Sequence, residues 1–384
     1  MPAKRPRVIL NDRALFGPRT GVGHYIAELT AAIGQVDPEI NLLAVYQTYF
    51  PRRRSKGPFG LSRASAGGPC RRWPWWLRRM AQGTYKQVFK ATARLKKCTL
   101  YHEPNHIPMP WHGPTITTIH DLSVIRHPEW HPDDRVRWYE QDFNPSLSLS
   151  EHFITVSQFS KQEMVELGGI DPQRITPIAL APRAAFYPRP QEEINQWLIG
   201  NQLPTEYLIY VGTIEPRKNV EGTLAAYAQL PSTTRKHIPM LIAGAVGWQR
   251  ESMKSLIEKH RLTQQVRVLG YLNDEALASL YAGARALVWP TLYEGFGLPP
   301  LECMASGTPV ITSNLSSIPE VTGDAAILID PADTVQISDA IQKVLEDKQL
   351  VQSLTDKGLE RSKMFSWARC AAEHATLYRR FSAD

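Results

Sequence analysis

Along the 384-residue chain, short apolar runs alternate with longer stretches in which apolar residues recur at helical spacing. In the first half the runs predict strands over residues 7–10, 42–46, 115–119, 152–156 and 175–178. Helices are predicted over 24–33, where Ile26, Leu29, Ala32 and Ile33 share a face, and over 77–95 and 135–149. Another follows Ser157, which is placed to cap it. The second half alternates more regularly, with strands over 207–211, 240–243, 266–269, 286–289, 310–312 and 326–329. Between them the spacing predicts helices over 220–229, 251–260, 275–282 and 298–306, with a short one near Ile318. Residues 181–206 are proline-rich and aperiodic, and read as an interdomain connection. A last helical pattern closes the chain.

This alternation predicts parallel sheets covered by helices on both faces. The length exceeds one comfortable core. The expected class is therefore α/β, with two Rossmann-like domains facing each other across a cleft. Ligands of such sheets lie at the carboxyl ends of strands, and several chemistry-bearing residues fall there.

The strand 207–211 runs into TIEPRK, which presents Arg217 and Lys218 just before a helix that Asn219 can cap. A guanidinium fork beside a point charge suits phosphates, with a solvated basic turn as the alternative. The strand 286–289 runs into YEGFGLPPLE, with Glu294 before the next helix and Glu302 about one turn inside it. Glycines there let the backbone approach a ligand, and unpaired amides at the helix start suit an anion. The two carboxylates are then expected to face neutral donors, such as the vicinal hydroxyls of a ribose or sugar. Otherwise they are a turn residue and a helix-surface residue. In the first half, Gly21, Val22 and Gly23 of TGVGHY stand ahead of a helix as a generic anion or substrate loop. His120-Asp121 ends the strand 115–119, where His120 can meet a substrate hydroxyl or phosphate, or simply terminate the strand.

Charge changes the picture at one place. The chain is net +7, yet residues 49–97 hold fourteen Lys and Arg and no Asp or Glu, so the rest is net acidic. With RRWPWWLRR inside it, this segment suits an anionic membrane surface, with a solvated loop as the alternative. No nucleic-acid-binding grammar surrounds it, so no nucleic acid is expected. The opening apolar run, Val8 to Leu10, is too short for a secretion signal, and no run is long enough to span a membrane. Cys70, Cys98, Cys303 and Cys370 lack metal or redox spacing and read as thiols of a reducing cytosol. The expected location is cytoplasmic, with peripheral attachment at the inner membrane face as its extension.

Taken together, GTIEPRKN, EGFGLPPLE and ASGTPVITSNLSSIPEVTGDAAILIDP, supported by TGVGHY, IHDL and FITVSQFSK, resemble the retaining glycosyltransferases of family 4. The resemblance covers nearly the whole chain and implies the GT-B fold. It implies an acceptor-side domain over 1–185, a nucleotide-sugar domain over 186–364, and a closing helix, 365–384, that crosses back to the first. It assigns the ribose to Glu302, donor-sugar hydroxyls to Glu294, and the diphosphate to Arg217 and Lys218 with Gly21, Val22 and Gly23. Amides near Phe296, Gly297 and Leu298 are expected to approach the sugar, His120 to contact it, and Tyr271 and Leu272 to meet the base. No cofactor and no metal are implied. The donor expected first is GDP-mannose and second a UDP-sugar, and the acceptor is a saccharide or lipid-linked saccharide. The serine- and glycine-containing continuation is similar to that of bacterial mannosyltransferases of surface polysaccharide. The rivals are a UDP-sugar-dependent glucosyltransferase acting on a lipid or small soluble acceptor, a nucleotide-sugar epimerase, and a lipid- or nucleic-acid-binding protein working through the basic segment.

Overall fold

The computed structural model describes residues 5–15, 19–44, 75–245, 247–248 and 252–382, and of 75–84 the backbone alone. Residues 181–365 form one compact unit, and the described residues up to 180 form the other together with 366–382. Most of the basic segment, residues 49–74, lies outside the described residues, as do Cys70 and the end of the strand predicted over 42–46.

Among the described residues the first unit holds six parallel strands: β1 (Arg7–Leu10), β2 (Asn41–Ala44), β3 (Leu100–Glu103), β4 (Thr115–Thr118), β5 (His152–Thr155) and β6 (Ile175–Pro177), in the order β2-β1-β3-β4-β5-β6. β3 is absent from the sequence reading. Its four residues, LYHE, carry no alternation and end on His102 and Glu103, yet the strand is buried throughout. Helices Gly21–Val36, Trp75–Leu95, Asp133–Leu147 and Gln158–Glu166 fall on predicted segments. Ser157 accepts from the Ser160 amide at 3.0 Å, as its cap position predicts.

The second unit holds β7 (Leu208–Val211), β8 (Met240–Ala243), β9 (Val266–Gly270), β10 (Ala286–Trp289), β11 (Val310–Ser313) and β12 (Ile327–Ile329), in the order β12-β11-β10-β7-β8-β9. This is the doubly wound order, and the direction of winding reverses between β7 and β10. The inner strands β7, β8 and β10 read LIYV, MLIA and ALVW and are buried throughout, as a sheet covered on both faces requires, whereas β9 at the edge carries an exposed Arg267. Four helices of this unit were not predicted, the short polar Ser232–His237 among them. Gln191–Gly200 lies in the segment read as connection; Ile194 and Leu198 are buried, but Ile199, 66% exposed, blurs the stripe. Thr334–Glu346 and Lys348–Lys363 follow β12, each started by an aspartate cap, Asp333 and Asp347.

The closing helix, Trp367–Phe381, packs in the first unit against Gly21–Val36. A buried chain of hydrogen bonds joins it to the sheet, and its direction is fixed from one end. The Cys370 carbonyl can only accept, so His374 Nδ1 donates to it at 2.7 Å. His374 Nε2 then accepts from Tyr25 at 2.7 Å. Tyr25 accepts from Thr118 at 3.0 Å, Thr118 from His102 Nε2 at 2.8 Å, and His102 Nδ1 from Tyr378 at 2.6 Å. Each partner is satisfied only if both imidazoles are neutral. Burial enforces this: His374 is pulled to about 4 and His102 well below the ordinary 6.5.

The sign of the pH effect follows. His102, His106, His120 and His374 all hold protons less readily in the fold than in the unfolded chain. Stability is therefore full above the unfolded imidazole's 6.5 and is lost as pH falls toward 4. Glu103, raised by burial to about 7, acts oppositely as pH falls from 7, but it is one group against four. The melting midpoint of the first unit is expected to drop on acidification from pH 7.5 to 4.5. His374→Gln, which keeps an acceptor for Tyr25 and cannot titrate, should flatten that dependence; an unchanged pH profile in the variant would contradict the assignment.

Candidate active site

The two strands that flank the reversal in the second unit, β7 and β10, carry the densest group of buried charges. After β7 the chain makes a single 3-10 turn, Pro216–Lys218. Asn219 takes a left-handed conformation (φ 52°) and caps the next helix by accepting from the Gly222 amide at 3.2 Å. Its amide also donates to the carbonyls of Pro290, at 2.9 Å, and Pro331, at 2.8 Å. One side chain thus ties the loop after β7 to the segments after β10 and β12.

That tie brings Arg217 and Lys218 to Glu294. Lys218 Nζ donates to Glu294 Oε1, and Arg217 Nη1 donates to Oε2 at 3.2 Å. Arg217 Nε also lies 2.6 Å from Glu215, and Thr291 Oγ1 lies 3.1 Å from Glu294 Oε1. Lys218 sits over the Trp289 ring, 4.9 Å from its centre. Burial and the neighbouring Arg217 pull Lys218 below the usual ammonium range, while Glu294 and Glu215 oppose them. The four side chains form two balanced charge pairs. Glu294 thus meets the neutral Thr291 hydroxyl and also the basic pair, which bends back onto it because buried cations need a counter-charge.

The loop from Glu294 into helix Leu298–Ala305 is pinned from β11. The Glu294 amide donates to Ser316 Oγ at 3.0 Å, and Ser317 Oγ lies within 2.9 Å of the Glu294 and Phe296 carbonyls. Gly297 is obligatory here: φ is 116°, and an added Cβ would stand 2.8 Å from Ile318. The expected row of free amides at this helix start needs correction. Pro299 and Pro300 have no N–H, and the Leu301 amide meets the Gly297 carbonyl at 3.4 Å, leaving Leu298 as the unpaired first-turn donor. Phe296 is buried and makes an edge contact with Phe365. Tyr271 and Leu272, half-buried, follow β9.

Glu302 is also committed. Arg183 binds it with both arms of the fork, Nε to Oε1 at 2.7 Å and Nη2 to Oε2 at 2.9 Å. The remaining arm donates to Asp274, and the guanidinium lies over Phe186 at 4.6 Å. Sequence reasoning missed Arg183 because it stands in the segment taken for a connection. Its partner is 119 residues away, and APRAAF carries no local signal. Ser316 and Ser317 lie in the SNLSS run, with Ser316 standing 22 residues past Glu294, and no local signal joins them to the loop they pin.

In the first unit, Gly21, Val22 and Gly23 are not a loop ahead of a helix. They are the first turn of Gly21–Val36, with Thr20 at its cap position, so their amides are first-turn donors. His120 lies just past β4; its Nε2 donates to the Pro104 carbonyl at 2.9 Å, and its ring meets Tyr25 edge-on at 5.0 Å. Among the described residues no group of three or more His, Cys, Asp or Glu could hold a metal ion, and no helix is long and apolar enough to cross a membrane.

Comparison with known proteins matches residues 19–180 to the family model described as Glycosyltransferase Family 4 and residues 192–361 to Glycosyl transferases group 1. The chain is 36% identical to O-antigen chain mannosyltransferase B of Escherichia coli, over 97% of this chain and 99% of that one. It is 32% identical to the serotype-specific mannosyltransferase WbdA of Escherichia coli, over 68% of this chain and 33% of the other. A sucrose-phosphate synthase from Thermosynechococcus elongatus has the same fold, with a TM-score of 0.75 at 21% identity, over 98% of this chain and 99% of that one.

The Arg183–Glu302 pair yields a stability prediction. Arg183→Met strands a buried carboxylate and should cost about 3–5 kcal/mol in urea denaturation. Adding Glu302→Gln should recover part of the loss. Equal stability of Arg183→Met and the unaltered protein would contradict the pairing.

Proposed function

The chain belongs to the GT-B glycosyltransferases described by the group 1 and family 4 models, enzymes dependent on nucleotide sugars, and on that premise we propose that it moves mannose from GDP-mannose onto a saccharide, with retention at the anomeric carbon. The observation that supports mannose as the sugar is the 36% identity, over nearly the full length of both chains, to a protein named as an O-antigen chain mannosyltransferase, and GDP as its carrier rests on the sequence resemblance. A lipid-linked acceptor fits that name, and residues 49–97 offer cations and tryptophans for an anionic membrane surface.

In this reading Arg217 and Lys218 take the diphosphate, and Glu294, once relieved of part of its ion pairing, accepts hydrogen bonds from hydroxyls of the sugar. Glu302, held by Arg183, keeps lone pairs for the ribose diol. Tyr271 and Leu272 meet the base, and Phe296, Gly297 and Leu298 line the sugar. His120 serves the sugar, and the first-turn amides of Gly21, Val22 and Gly23 serve the phosphates.

The chemistry is charge stabilisation. As the anomeric carbon–oxygen bond breaks, negative charge grows on the diphosphate oxygen, where Lys218 and Arg217 oppose it in a buried setting. The acceptor hydroxyl attacks from the face the diphosphate leaves, and its proton passes to the departing oxygen. Neither Glu294 nor Glu302 acts as nucleophile.

Two measurements test this. In a panel of GDP- and UDP-sugars with donor consumption and product followed, GDP-mannose should be used fastest; preference for a UDP-sugar would overturn the donor assignment. Lys218→Ala should lower turnover at least 100-fold, roughly 3 kcal/mol of transition-state stabilisation. A near-normal rate in that variant would refute the role of the cation.

A further inference from the structure

The carboxyl end of β3 holds a second histidine whose surroundings give it a defined polarity. Beyond Glu103 the chain turns through Pro104 and Asn105 to His106, and each residue of this turn is anchored. Glu103 Oε1 accepts from the Asn105 amide at 3.0 Å, while Oε2 accepts from Tyr101 at 2.5 Å and Asn11 at 2.6 Å. The Pro104 carbonyl receives His120 Nε2. His106 adopts a left-handed backbone (φ 65°), unusual for a residue with a side chain, and its amide donates to the Thr118 carbonyl at 2.9 Å. A strained position fixed on every side, beside a ring already assigned to the sugar, points to a function for the side chain it presents.

The protons on both rings can be placed. The Pro104 carbonyl only accepts, so His120 carries its proton on Nε2 and presents an unprotonated Nδ1. His106 Nδ1 meets the hydroxyl of Tyr139, a buried phenol. That hydroxyl must donate, since its proton has no other acceptor among the described residues, so His106 Nδ1 accepts and its proton sits on Nε2. Burial keeps His106 neutral, pulling it to about 3, with Asp121 opposing and His120 and Arg135 adding to the effect. Two half-buried neutral imidazoles thus stand with ring centres 5.9 Å apart, one offering an acceptor and the other a donor.

We propose that His106 and His120 together hold one hydroxyl of the transferred sugar, which donates its proton to His120 Nδ1 and accepts from His106 Nε2–H. Two hydrogen bonds of about 2.8 Å meeting at one oxygen place their nitrogens about 4.6 Å apart. Each ring nitrogen lies about 1.2 Å from its ring centre by standard bond lengths, so the observed separation admits such a bridge. Only a group that both donates and accepts completes it. The pair would therefore read the presence of that hydroxyl, and a sugar lacking it leaves two polar nitrogens unanswered. The proposal rests on the reading of this protein as a sugar transferase.

The test compares kcat/KM for the intact donor sugar and a series of singly deoxygenated donors in the unaltered enzyme, His106→Leu and His106→Gln. One deoxy position should cost the unaltered enzyme about tenfold or more and cost His106→Leu little further. His106→Gln, which keeps an N–H, should restore part of the discrimination. Equal penalties at every position in all three proteins would overturn the pairing. If His106→Leu folds poorly, the comparison with His106→Gln decides alone. Nitrogen NMR of the free enzyme gives a second reading independent of activity: both histidines should be Nε2–H tautomers, and an Nδ1–H signal from His106 would refute the assignment. An unaltered enzyme idle on every donor would instead refute the function itself, before any variant is made.

Discussion

The second unit depends on one buried carboxylate. Glu294 is the counter-charge that allows Lys218 and Arg217 to remain at the reversal point of a doubly wound sheet. Without it, Lys218 would lie buried over Trp289 with no carboxylate in contact, and Arg217 would keep only Glu215. The surrounding structure holds this carboxylate in place: Asn219 pulls the β7 loop against the β10 loop, and Ser316 and Ser317 hold the turn that bears Glu294. Charge balance also explains how the site can wait for an anion. A diphosphate arriving at the cations competes with Glu294, and a carboxylate so displaced has lone pairs free for sugar hydroxyls. In the proposed function, binding of the diphosphate would thereby ready Glu294 for the sugar.

The first unit follows the opposite rule. Where the second balances full charges beside its sheet reversal, the buried histidine network of the first removes them. His102, Thr118, Tyr25 and His374 form a chain of neutral donors and acceptors that ends at a carbonyl, and burial lowers the proton affinity of every histidine in or beside it. Such a network fixes tautomers as firmly as positions. The half-buried neutral rings of His106 and His120 beside this network suit a neutral hydroxyl. In the proposed function the first-turn amides of Gly21, Val22 and Gly23 are what the first unit offers a phosphate.

Much of this was legible in the sequence, for identifiable reasons. Of the twelve strands among the described residues, eleven fall on segments read as strands from the sequence, and Asn219 and Ser157 announce themselves as caps. Arg217, Lys218, Glu294 and Glu302 fall after strands or just inside helices, which locates them at one end of the sheet. What the sequence did not disclose was pairing. Nothing local joins Arg183 to Glu302 or turns Arg217 and Lys218 back onto Glu294, because those contacts depend on how strands are ordered. β3 went unread because His102 and Glu103 are polar residues buried by partners distant in sequence. The prolines after Leu298 were visible, and their missing N–H groups should have tempered the expectation of an amide cradle there.

The account separates the task of the cations from that of Glu294, and calorimetry with GDP tests the separation directly. Lys218→Ala should bind GDP at least tenfold more weakly than the unaltered protein. Glu294→Gln removes a negative charge from beside the cations while keeping an acceptor for Lys218, so it should bind GDP as tightly or more tightly. If Glu294→Gln instead loses GDP affinity to the same degree as Lys218→Ala, the carboxylate and the cations serve the phosphate as one unit, and the division proposed here is wrong.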